Sequence, residues 1–526
     1  MKNGELEINN GLPTGWAYAG LEDISDVDRH SIKRGPFGSA LKKEFFVPDG
    51  YKVYEQGNVI NNDFNRGTYF INDEKFEDLK SFSIKPKDIL MSCAGTVGKL
   101  AIVPNGVQEG VINQALLKLS VHPDIDLQYF FKLFTYQIDE ILKSNLRGSA
   151  MMNLTSVKDL KLVKFPIAPL NEQKRIVAKI EKLFSNLDNS DKYLLHLEKQ
   201  LKRYRQSVLK SAFEGKLTKE WRENQTNLET AESLSESVKK YKEKEYSEQL
   251  EIWIKVLEDW EKNGKQGNKP RKPSKEKPIK LDEYIETDLP LNWKWEKLGN
   301  HAFVTKLAGF EFTKYVTYKE LGDIPVIRGQ NILKDRFISR NFIYVDREIM
   351  EKLPRSRIFG GELLMVFVGA GLGNVGIAPS DKEYFLGPNV AKIALNKFYN
   401  NLFIKYYLSS SLGFKNINSH SKATAQDSIS MENIRNVNVP FLTLEEQKEI
   451  VNQIEKHFSI IDKLEVVVQQ SIKESKRLRQ SILKQAFEGK LVEQDPNDES
   501  ASILLEKIAK VKEEYQKAQK KQVRKK

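Results

Sequence analysis

One long segment of this sequence occurs twice. Residues 172–217 read EQKRIVAKIEKLFSNLDNSDKYLLHLEKQLKRYRQSVLKSAFEGKL, and they match residues 446–491 without a gap at 25 of 46 positions. The offset between the copies is 274 residues, and both copies begin with Glu-Gln-Lys and end with Ala-Phe-Glu-Gly-Lys-Leu. A repeat of this length predicts that the protein is built from two equivalent halves.

The apolar residues of both copies follow a heptad pattern, with alternating steps of four and three residues. The predicted seam consists of Ile176, Ile180, Leu183, Leu187, Leu194, Leu197 and Leu201 in the first copy, and of Ile450, Ile454, Ile461, Leu464, Val468 and Leu478 in the second. We predict two long helices that pack antiparallel on each other as a coiled coil about a pseudo-two-fold axis. The alternative is two separate amphipathic helices, each lying on its own domain.

Composition indicates a globular protein with a polyanionic partner. The 526 residues include 84 basic and 72 acidic side chains, which gives a net charge of +12. Such an excess favours a partner such as nucleic acid. The single Cys93 excludes a disulfide framework and fits a reducing compartment, and no apolar run reaches the roughly 18 residues of a membrane span. We therefore expect a cytoplasmic protein with no membrane partner.

Each long helix is predicted to follow a globular domain of short strands separated by Gly, Pro and Asn turns. Leu12-Pro13 with Trp16 opens the first domain, and Leu289-Pro290 with Trp293 opens the second. We predict an α+β fold with two related α/β domains at 1–168 and 286–441, long helices at 169–218 and 442–492, a charged helical and flexible linker at 219–285, and a basic helical tail at 493–526.

Several loops of the two domains combine basic residues, amides and glycines. Residues 33–43 carry two basic clusters, residues 56–58 carry two amides, and residues 92–99 end in a lysine. Amide side chains can bond an adenine edge with two hydrogen bonds. Residues 326–332 of the second half correspond to residues 53–59. At every single position, an ordinary polar turn is the competing interpretation.

No catalytic or metal site is predicted. Gly371, Gly373 and Gly376 form a GxGxxG pattern, but the following residues indicate a strand, whereas a dinucleotide or methyl-donor site needs a helix there. The segment that ends at Lys99 lacks the first glycine and the hydroxyl residue of a phosphate-binding loop. The six histidines are scattered without the spacing of metal ligands.

Taken together, these features resemble the specificity subunit of type I restriction–modification systems. The resemblance covers nearly the whole chain. The residues that carry it are Leu12-Pro13 with Trp16, Gly35-Pro36-Phe37-Gly38-Ser39, Pro169-Leu170-Asn171-Glu172-Gln173-Lys174, and Phe213-Glu214-Gly215-Lys216-Leu217, with their equivalents in the second half. One departure is Thr443, which begins the second copy of the helix motif without a proline.

The resemblance implies that each globular domain is a target-recognition domain that reads one half of a bipartite, asymmetric site in double-stranded DNA. The long helices would set the gap and dock two modification subunits, which would carry S-adenosylmethionine and recruit ATP-driven restriction subunits. The chain itself would be non-catalytic and bind no cofactor. The competing interpretations are a DNA-binding scaffold of another phage-defence assembly and, less favoured, a single-chain DNA-modifying enzyme.

On this basis the loop residues receive two predicted roles. Base-reading side chains are predicted at Gln56, Asn58, Arg328, Gln330 and Asn331. Contacts with DNA phosphates are predicted at Lys33, Arg34, Lys42, Lys43 and Lys99.

Overall fold

The computed structural model describes residues 11–37, 40–145, 157–275, 277–281, 289–334, 336–419 and 428–523. Gly38, Ser39 and the last three residues of the predicted tail lie outside these ranges. The chain divides into two compact units, one formed by Met1–Leu195 with Gln469–Lys526 and the other by His196–Val468. Each unit therefore contains one globular domain and part of each long helix.

The first unit holds a domain of three small sheets. Its strands are β1 (Ala17–Gly20), β2 (Ile32–Arg34), β3 (Tyr51–Tyr54), β4 (Phe70–Ile71), β5 (Ile89–Ser92), β6 (Leu100–Ile102), β7 (Gly110–Ile112), β8 (Leu116–Leu119) and β9 (Lys164–Ile167). Its helices are α1 (Leu21–Ile24), α2 (Gln56–Ile60), α3 (Asp73–Asp78), α4 (Leu127–Asn145) and α5 (Val157–Leu162), followed by the long helix α6 (Leu170–Phe213). The sheets have the orders β2-β8-β5-β6, β4-β3-β7 and β1-β9, and only β3 and β7 pair in parallel.

The second unit repeats this plan. After α7 (Lys219–Glu223) and α8 (Ala231–Lys262), its strands are β10 (Lys294–Lys297), β11 (Ala302–Lys306), β12 (Ile324–Ile327), β13 (Ile343–Val345), β14 (Arg357–Ile358), β15 (Leu363–Val366), β16 (Val375–Ile377), β17 (Tyr384–Leu386), β18 (Val390–Leu395) and β19 (Asn438–Phe441). Its helices are α9 (Gly309–Tyr315), α10 (Arg347–Lys352), α11 (Asn401–Ser409), α12 (Ser411–Ser419), α13 (Met431–Arg435) and the long α14 (Leu444–Phe487). The sheet orders are β11-β18-β15-β16, β13-β12-β17-β14 and β10-β19, with β12 and β17 parallel.

The same apolar positions build the main core of each unit. Trp16, Tyr129 and Ile167 lie in the first core, and their counterparts Trp293, Phe403 and Phe441 lie in the second. The alternating apolar residues that predict strands and helices are thus buried as expected, since the fold gains most of its stability from removing such surface from water. Cys93 is buried in the first core, where burial raises the pKa of its thiol to about 11. In the described part of the chain, every helix is too short or too polar to cross a bilayer.

The long helices pack against each other in both units, as the repeat predicts. In the first unit, Ile176 and Ile180 near the start of α6 share a core with Leu483 and Phe487 near the end of α14. In the second unit, Val208 and Phe213 near the end of α6 share a core with Ile450 and Ile454 near the start of α14. The early residues of one helix thus meet the late residues of the other. The antiparallel pairing is confirmed, and the alternative of separate helices is wrong.

Equivalent ion pairs mark this pairing in the two units. Arg479 donates to Asp188 over 2.8 Å and to Asp191 over 2.9 Å. Arg205 donates to Asp462 over 2.5 Å and to Glu465 over 3.4 Å. Each residue of the first set lies 274 positions from its counterpart in the second, which is the offset of the repeat. The same polar contact therefore occurs twice, once in each unit.

Part of the predicted seam is wrong. Ile176, Ile180, Leu201, Ile450, Ile454, Ile461 and Val468 are buried, and Leu183, Leu187, Leu194 and Leu197 are half-buried. Leu464 and Leu478, in contrast, are 44% and 51% exposed. The residues that follow them, Glu465 and Arg479, make the contacts with α6 instead. The heptad spacing predicted that Leu464 and Leu478 are buried. It could not show that the neighbouring charged residues take the interface positions, because the pattern counts only apolar residues.

A helix follows each copy of the repeat and packs in the same way. α8 buries Ala231, Leu234 and Val238 in the second unit. The last helix, α15 (Ala501–Val523), buries Ala501, Leu504 and Ile508 in the first unit. The spacing of the three buried residues is the same in both helices. The predicted linker, after the short α7, and the predicted tail thus contain equivalent helices, so the duplication continues beyond Leu491.

Candidate nucleic-acid interface

Four connections of the first domain meet at one edge of its sheets. The strand ends at this edge are Arg34 of β2, Ser92 of β5, Leu100 of β6, Leu116 of β8, Tyr54 of β3 and Ile112 of β7. They are neighbours by register, since Arg34 lies opposite Leu117, and Ser92 lies opposite Leu116. The parallel pair β3 and β7 ends with Tyr54 beside Ile112, directly before the turn into β8. We call residues 34–37, 55–57, 93–99 and 113–115 the first loop edge.

Hydrogen bonds hold these connections together. The Asn113 N–H donates to the Tyr54 carbonyl over 3.0 Å, and the Cys93 N–H donates to the Ala115 carbonyl over 2.7 Å. The turn also requires Gly35, because a Cβ atom at that position would lie 1.8 Å from the Asn113 carbonyl oxygen. Three of the segments that the sequence singled out therefore lie side by side on a braced frame.

The exposed groups of the first loop edge are cations, amides and one aromatic ring. Phe37 is 62% exposed, and the Arg34 guanidinium lies 4.9 Å from its ring centroid. Gln114 and Lys99 are exposed. Arg66, which the sequence analysis missed, reaches the same edge, with its Nε 3.5 Å from the Cβ position of Gly57. Arg66 lies outside the segments that the sequence singled out, and nothing in the sequence around it predicts this placement.

The second domain forms an equivalent edge. Here the ends of β11, β15 and β18 lie side by side, since Lys306 pairs with Ala391, and Val366 pairs with Val390. The Phe367 N–H donates to the Asn389 carbonyl over 3.0 Å. The exposed Lys306 lies 5.0 Å from the centroid of the Phe367 ring. We call residues 328–331, 367–374 and 387–389, together with Lys306, the second loop edge.

Asn58 and Asn331 do not read bases, so the prediction for these two residues is wrong. Asn58 is 2% exposed, accepts from the Glu55 N–H over 2.8 Å, and donates to the carbonyls of Asp63 and Arg66. Asn331 is fully buried and bonds in the same way to residues 328, 338 and 340 of its own domain. Both amides are buried and use both N–H groups and the oxygen to hold a loop, so neither is available to a ligand.

The other predicted base readers do lie at the loop edges. Gln330 is exposed, and its Nε2 lies 3.3 Å from the Asn341 carbonyl oxygen. Arg328 donates from Nη2 to the same carbonyl over 2.9 Å, while its buried Nε has no partner among the described residues. The buried Oε1 of Gln56 likewise has no partner among the described residues. The base-reading roles of Gln56, Arg328 and Gln330 remain predictions.

The residues predicted to contact phosphate separate into three groups. Arg34 and Lys99 belong to the first loop edge. Lys33 points to the opposite face of β2, as alternate strand residues do. Its ammonium donates to the Ser81 hydroxyl over 2.6 Å and lies 4.2 Å from the centroid of the Phe82 ring, and burial lowers its pKa. This placement conflicts with a phosphate role for Lys33.

Lys42 and Lys43 are exposed beside a short 3₁₀ turn, Lys43–Phe45, and Lys42 lies 3.5 Å from Glu44. In the described residues, no recorded hydrogen bond or ion pair joins either lysine to the first loop edge. Their phosphate roles stay predictions.

The glycine pattern at Gly371, Gly373 and Gly376 runs into strand β16, as its sequence predicts. It therefore lacks the helix that a methyl-donor site needs. Among the described residues, no group of three or more His, Cys, Asp or Glu side chains has an arrangement that could hold a metal ion. The chemistry that the edges can offer is hydrogen bonding, stacking and positive charge.

Known proteins share this organisation. The family model of the type I restriction modification DNA specificity domain matches residues 13–199 and 292–474, once in each half and over more than half of the chain. The specificity subunit of the type I restriction enzyme EcoBI from Escherichia coli is 27% identical over 519 residues, which cover 96% of this chain and 93% of that protein. The StySPI specificity subunit from Salmonella potsdam is 26% identical, with 95% and 96% covered.

The fold is also found in a solved structure, which is described as the structural basis of complex assembly and conformational transition of the type I R-M system. It aligns with a TM-score of 0.60 at 16% identity and covers 91% of this chain and 99% of that chain. The duplicated α+β domains, the paired long helices and the two family matches lead to one conclusion: the chain belongs to the family of type I restriction–modification specificity subunits.

Proposed function

We propose that this chain is the DNA-recognition subunit of a type I restriction–modification complex and that each globular domain reads one half of a bipartite, asymmetric site. The observation that carries the proposal is the presence of two loop edges built on the same frame. Both edges are held by a buried asparagine, Asn58 or Asn331, while the exposed side chains around them differ. A shared frame with different exposed groups suits two related modules that read different sequences.

The mixture of groups at the loop edges fits a duplex ligand. Arginine and lysine side chains bind phosphates, while amide and guanidinium groups can bond base edges in the major groove. The net charge of +12 favours association with DNA and makes the binding weaker as salt rises. The chain would thus supply sequence recognition, and its partner subunits would supply the chemistry.

In this proposal, α6 and α14 fix the gap between the two half-sites and dock two modification subunits that carry S-adenosylmethionine, with ATP-driven restriction subunits as further partners. Each long helix has 44 residues, which corresponds to roughly 66 Å. The repeated ion pairs of Arg205 and Arg479 hold the helices in register and so favour a constant gap.

The test is to co-express the chain with a type I modification subunit in a host without adenine methylation and to map modified adenines by sequencing native DNA. We expect one motif with two unlike halves and a fixed gap, and no modification by either protein alone. Modification by this chain alone would support a single-chain enzyme instead. A motif without a gap, or no motif with the complete complex, would contradict the proposal.

A second experiment tests the role of the helices. Seven residues of heptad sequence are inserted into both copies, between Leu195 and His196 and between Val468 and Gln469. The insertion lengthens each helix by roughly 10 Å, which corresponds to about three base pairs of duplex. We expect the same two half-sites with a gap that is longer by about three base pairs. An unchanged gap would show that the helices do not set it.

A further inference from the structure

Glu55 and Arg328 occupy the same place in the two domains. Each residue directly follows a central parallel strand, β3 or β12, and each precedes a short helical turn. The N–H of Glu55 donates to the Asn58 Oδ1 over 2.8 Å, and the N–H of Arg328 donates to the Asn331 Oδ1 over 3.0 Å. The frame thus presents a carboxylate at the first loop edge and a guanidinium at the second.

Neither side chain is fully engaged within its own domain. Both are half-buried. In the described part of the chain, the Glu55 carboxylate accepts a long hydrogen bond, 3.4 Å from the Asn113 Nδ2 to its Oε1. Arg328 donates from Nη2 to the Asn341 carbonyl, but its Nε is buried without a partner there. Polar groups with unused capacity at matching positions indicate that a ligand completes them.

The neighbouring glutamines differ in which of their groups are already bonded. Next to Glu55, the Oε1 of Gln56 is a second acceptor that is buried without a partner in the described residues. Next to Arg328, the exposed Gln330 donates from Nε2 to the Asn341 carbonyl, which leaves its second N–H and its Oε1 for other partners. The first site therefore offers the acceptors of Glu55 and Gln56, whereas the second offers the donors of Arg328.

We propose that this position determines opposite base preferences in the two half-sites, with Glu55 selecting a cytosine through its amino group and Arg328 selecting a guanine. The inference rests on the proposed DNA-recognition function and adds to it a specificity-determining residue, Glu55. A carboxylate accepts from the N4 amino group of cytosine, and a guanidinium donates to O6 and N7 of guanine in the major groove.

The same charges reject the wrong base. A carboxylate that faces the two acceptors of guanine is repelled, and a guanidinium that faces an amino group has no acceptor to bond. Discrimination at one base pair then comes from both attraction and repulsion. Because the two domains carry opposite charges at the same place, an inverted repeat of identical half-sites is a poor ligand for this chain.

The experiment uses the full chain in complex with a modification subunit and a duplex library in which both half-sites are randomised. Bound duplexes are recovered and sequenced for the wild type and for the Glu55→Ala and Arg328→Ala variants. Glu44→Ala and Arg347→Ala are matched controls, since each makes the same change of charge in the same domain. Glu44 is exposed outside the loop edge beside Lys42, and Arg347 is exposed and pairs with Glu383.

We expect Glu55→Ala to lose a cytosine preference at one position of one half-site, by roughly 5- to 150-fold, with the other half-site unchanged. Arg328→Ala should do the same to a guanine in the other half-site. The unchanged half-site reports that the variant is folded. In addition, Glu55→Arg should change the preferred base at the first position from cytosine to guanine.

The outcomes separate the inference from the proposed function. If the wild-type complex selects a bipartite motif but Glu55→Ala selects the same motif with the same stringency, the role of Glu55 is refuted and the function stands. A relaxed position that is not cytosine refutes it as well. If the wild-type complex selects no bipartite motif, the proposed function is refuted, and the role of Glu55 falls with it.

Discussion

Two buried carboxylates at equivalent positions should respond differently to the same substitution. Glu172 and Glu446 lie at the start of the two long helices, 274 residues apart, and each is 1% exposed. Each accepts a hydrogen bond from a buried indole, that of Trp16 over 3.1 Å or that of Trp293 over 2.9 Å. The perturbation is replacement of each carboxylate by the isosteric amide, Glu172→Gln and Glu446→Gln.

The surroundings of Glu446 predict a large loss of stability. Its Oε1 also accepts from the Thr218 hydroxyl over 2.9 Å and from the Arg222 Nη1 over 3.2 Å. An amide cannot accept at all of these contacts, and it leaves the Arg222 guanidinium, which is only 13% exposed, without its counter-charge. Removing one partner of a buried ion pair costs about 3 to 5 kcal/mol.

The surroundings of Glu172 predict no such loss. Its Oε1 is buried without a partner among the described residues, and burial raises the pKa of this carboxyl group. The amide of the Glu172→Gln variant keeps an acceptor for the Trp16 indole and replaces the unpaired oxygen by a neutral group. The amide Nε2 takes the place of the unpaired oxygen, so the gain comes from removing a buried negative charge, whose desolvation raises the carboxyl pKa. We therefore expect Glu172→Gln to leave the free energy of unfolding unchanged or to raise it slightly.

The pH dependence follows from the raised pKa of Glu172. A carboxyl group whose pKa is higher in the folded state contributes stability below its unfolded pKa, and this contribution is lost as pH rises through the folded pKa. Glutamine does not titrate. The free energy of unfolding of the Glu172→Gln variant should therefore increase relative to that of the wild type as pH rises above the normal carboxyl range. At low pH, where both side chains are neutral, the difference should disappear.

The assay is urea unfolding at several pH values, together with hydrogen exchange of peptides that contain β1 or β10, because the two units need not unfold together. Glu446→Gln should increase exchange at β10, and Glu172→Gln should not increase it at β1. Equal losses of stability for the two variants would refute the claim that the unpaired oxygen makes the Glu172 carboxylate dispensable.

Three further predictions concern the frame and the helices. Asn331→Ala should lower the free energy of unfolding by about 2 to 4 kcal/mol in urea titrations, since it removes all three hydrogen bonds of a buried amide. Gly35→Ala should cost about 3 kcal/mol in the same assay, because the new Cβ overlaps the Asn113 carbonyl and the turn must move. Ile461→Glu should lower the melting temperature strongly because it places an unpaired carboxylate in the helix pair, whereas Leu464→Glu, on the exposed side, should change stability by less than about 0.5 kcal/mol.

The features that the sequence predicted well depend on periodicity. The 274-residue repeat and the heptad spacing required two long helices with a buried face, and burial of Ile176 and Ile450 follows directly from that spacing. The prediction that Leu464 is buried is wrong because the interface beside it is polar. There Glu465 forms an ion pair, which a pattern of apolar residues cannot reveal. Periodicity predicts where apolar surface is buried, but it does not predict which charges pair across an interface.

The residues of the candidate site were predicted less well from the sequence than the fold was. An asparagine after a strand has the same sequence signature whether its amide holds a loop or binds a ligand, and only the contacts of Asn58 and Asn331 separate the two roles. Glu55 was not predicted as a base reader because a carboxylate in a basic protein is normally assigned to solvent or to an ion pair. Its importance follows from comparison with Arg328 on the same frame, which requires the register of both domains.

The buried groups that hold each loop edge are distinct from the side chains that the edge presents, so specificity can change without loss of the frame. The groups that hold each loop edge are buried and bonded to backbone atoms, as for Asn58, and their loss disturbs the whole domain. Glu55 and Arg328, in contrast, are placed by their backbone N–H groups, so the frame does not depend on the identity of their side chains. A change at these positions should therefore alter the bases that are read at little cost in stability. Two copies of one scaffold can in this way acquire opposite preferences while the paired helices and the cores stay the same.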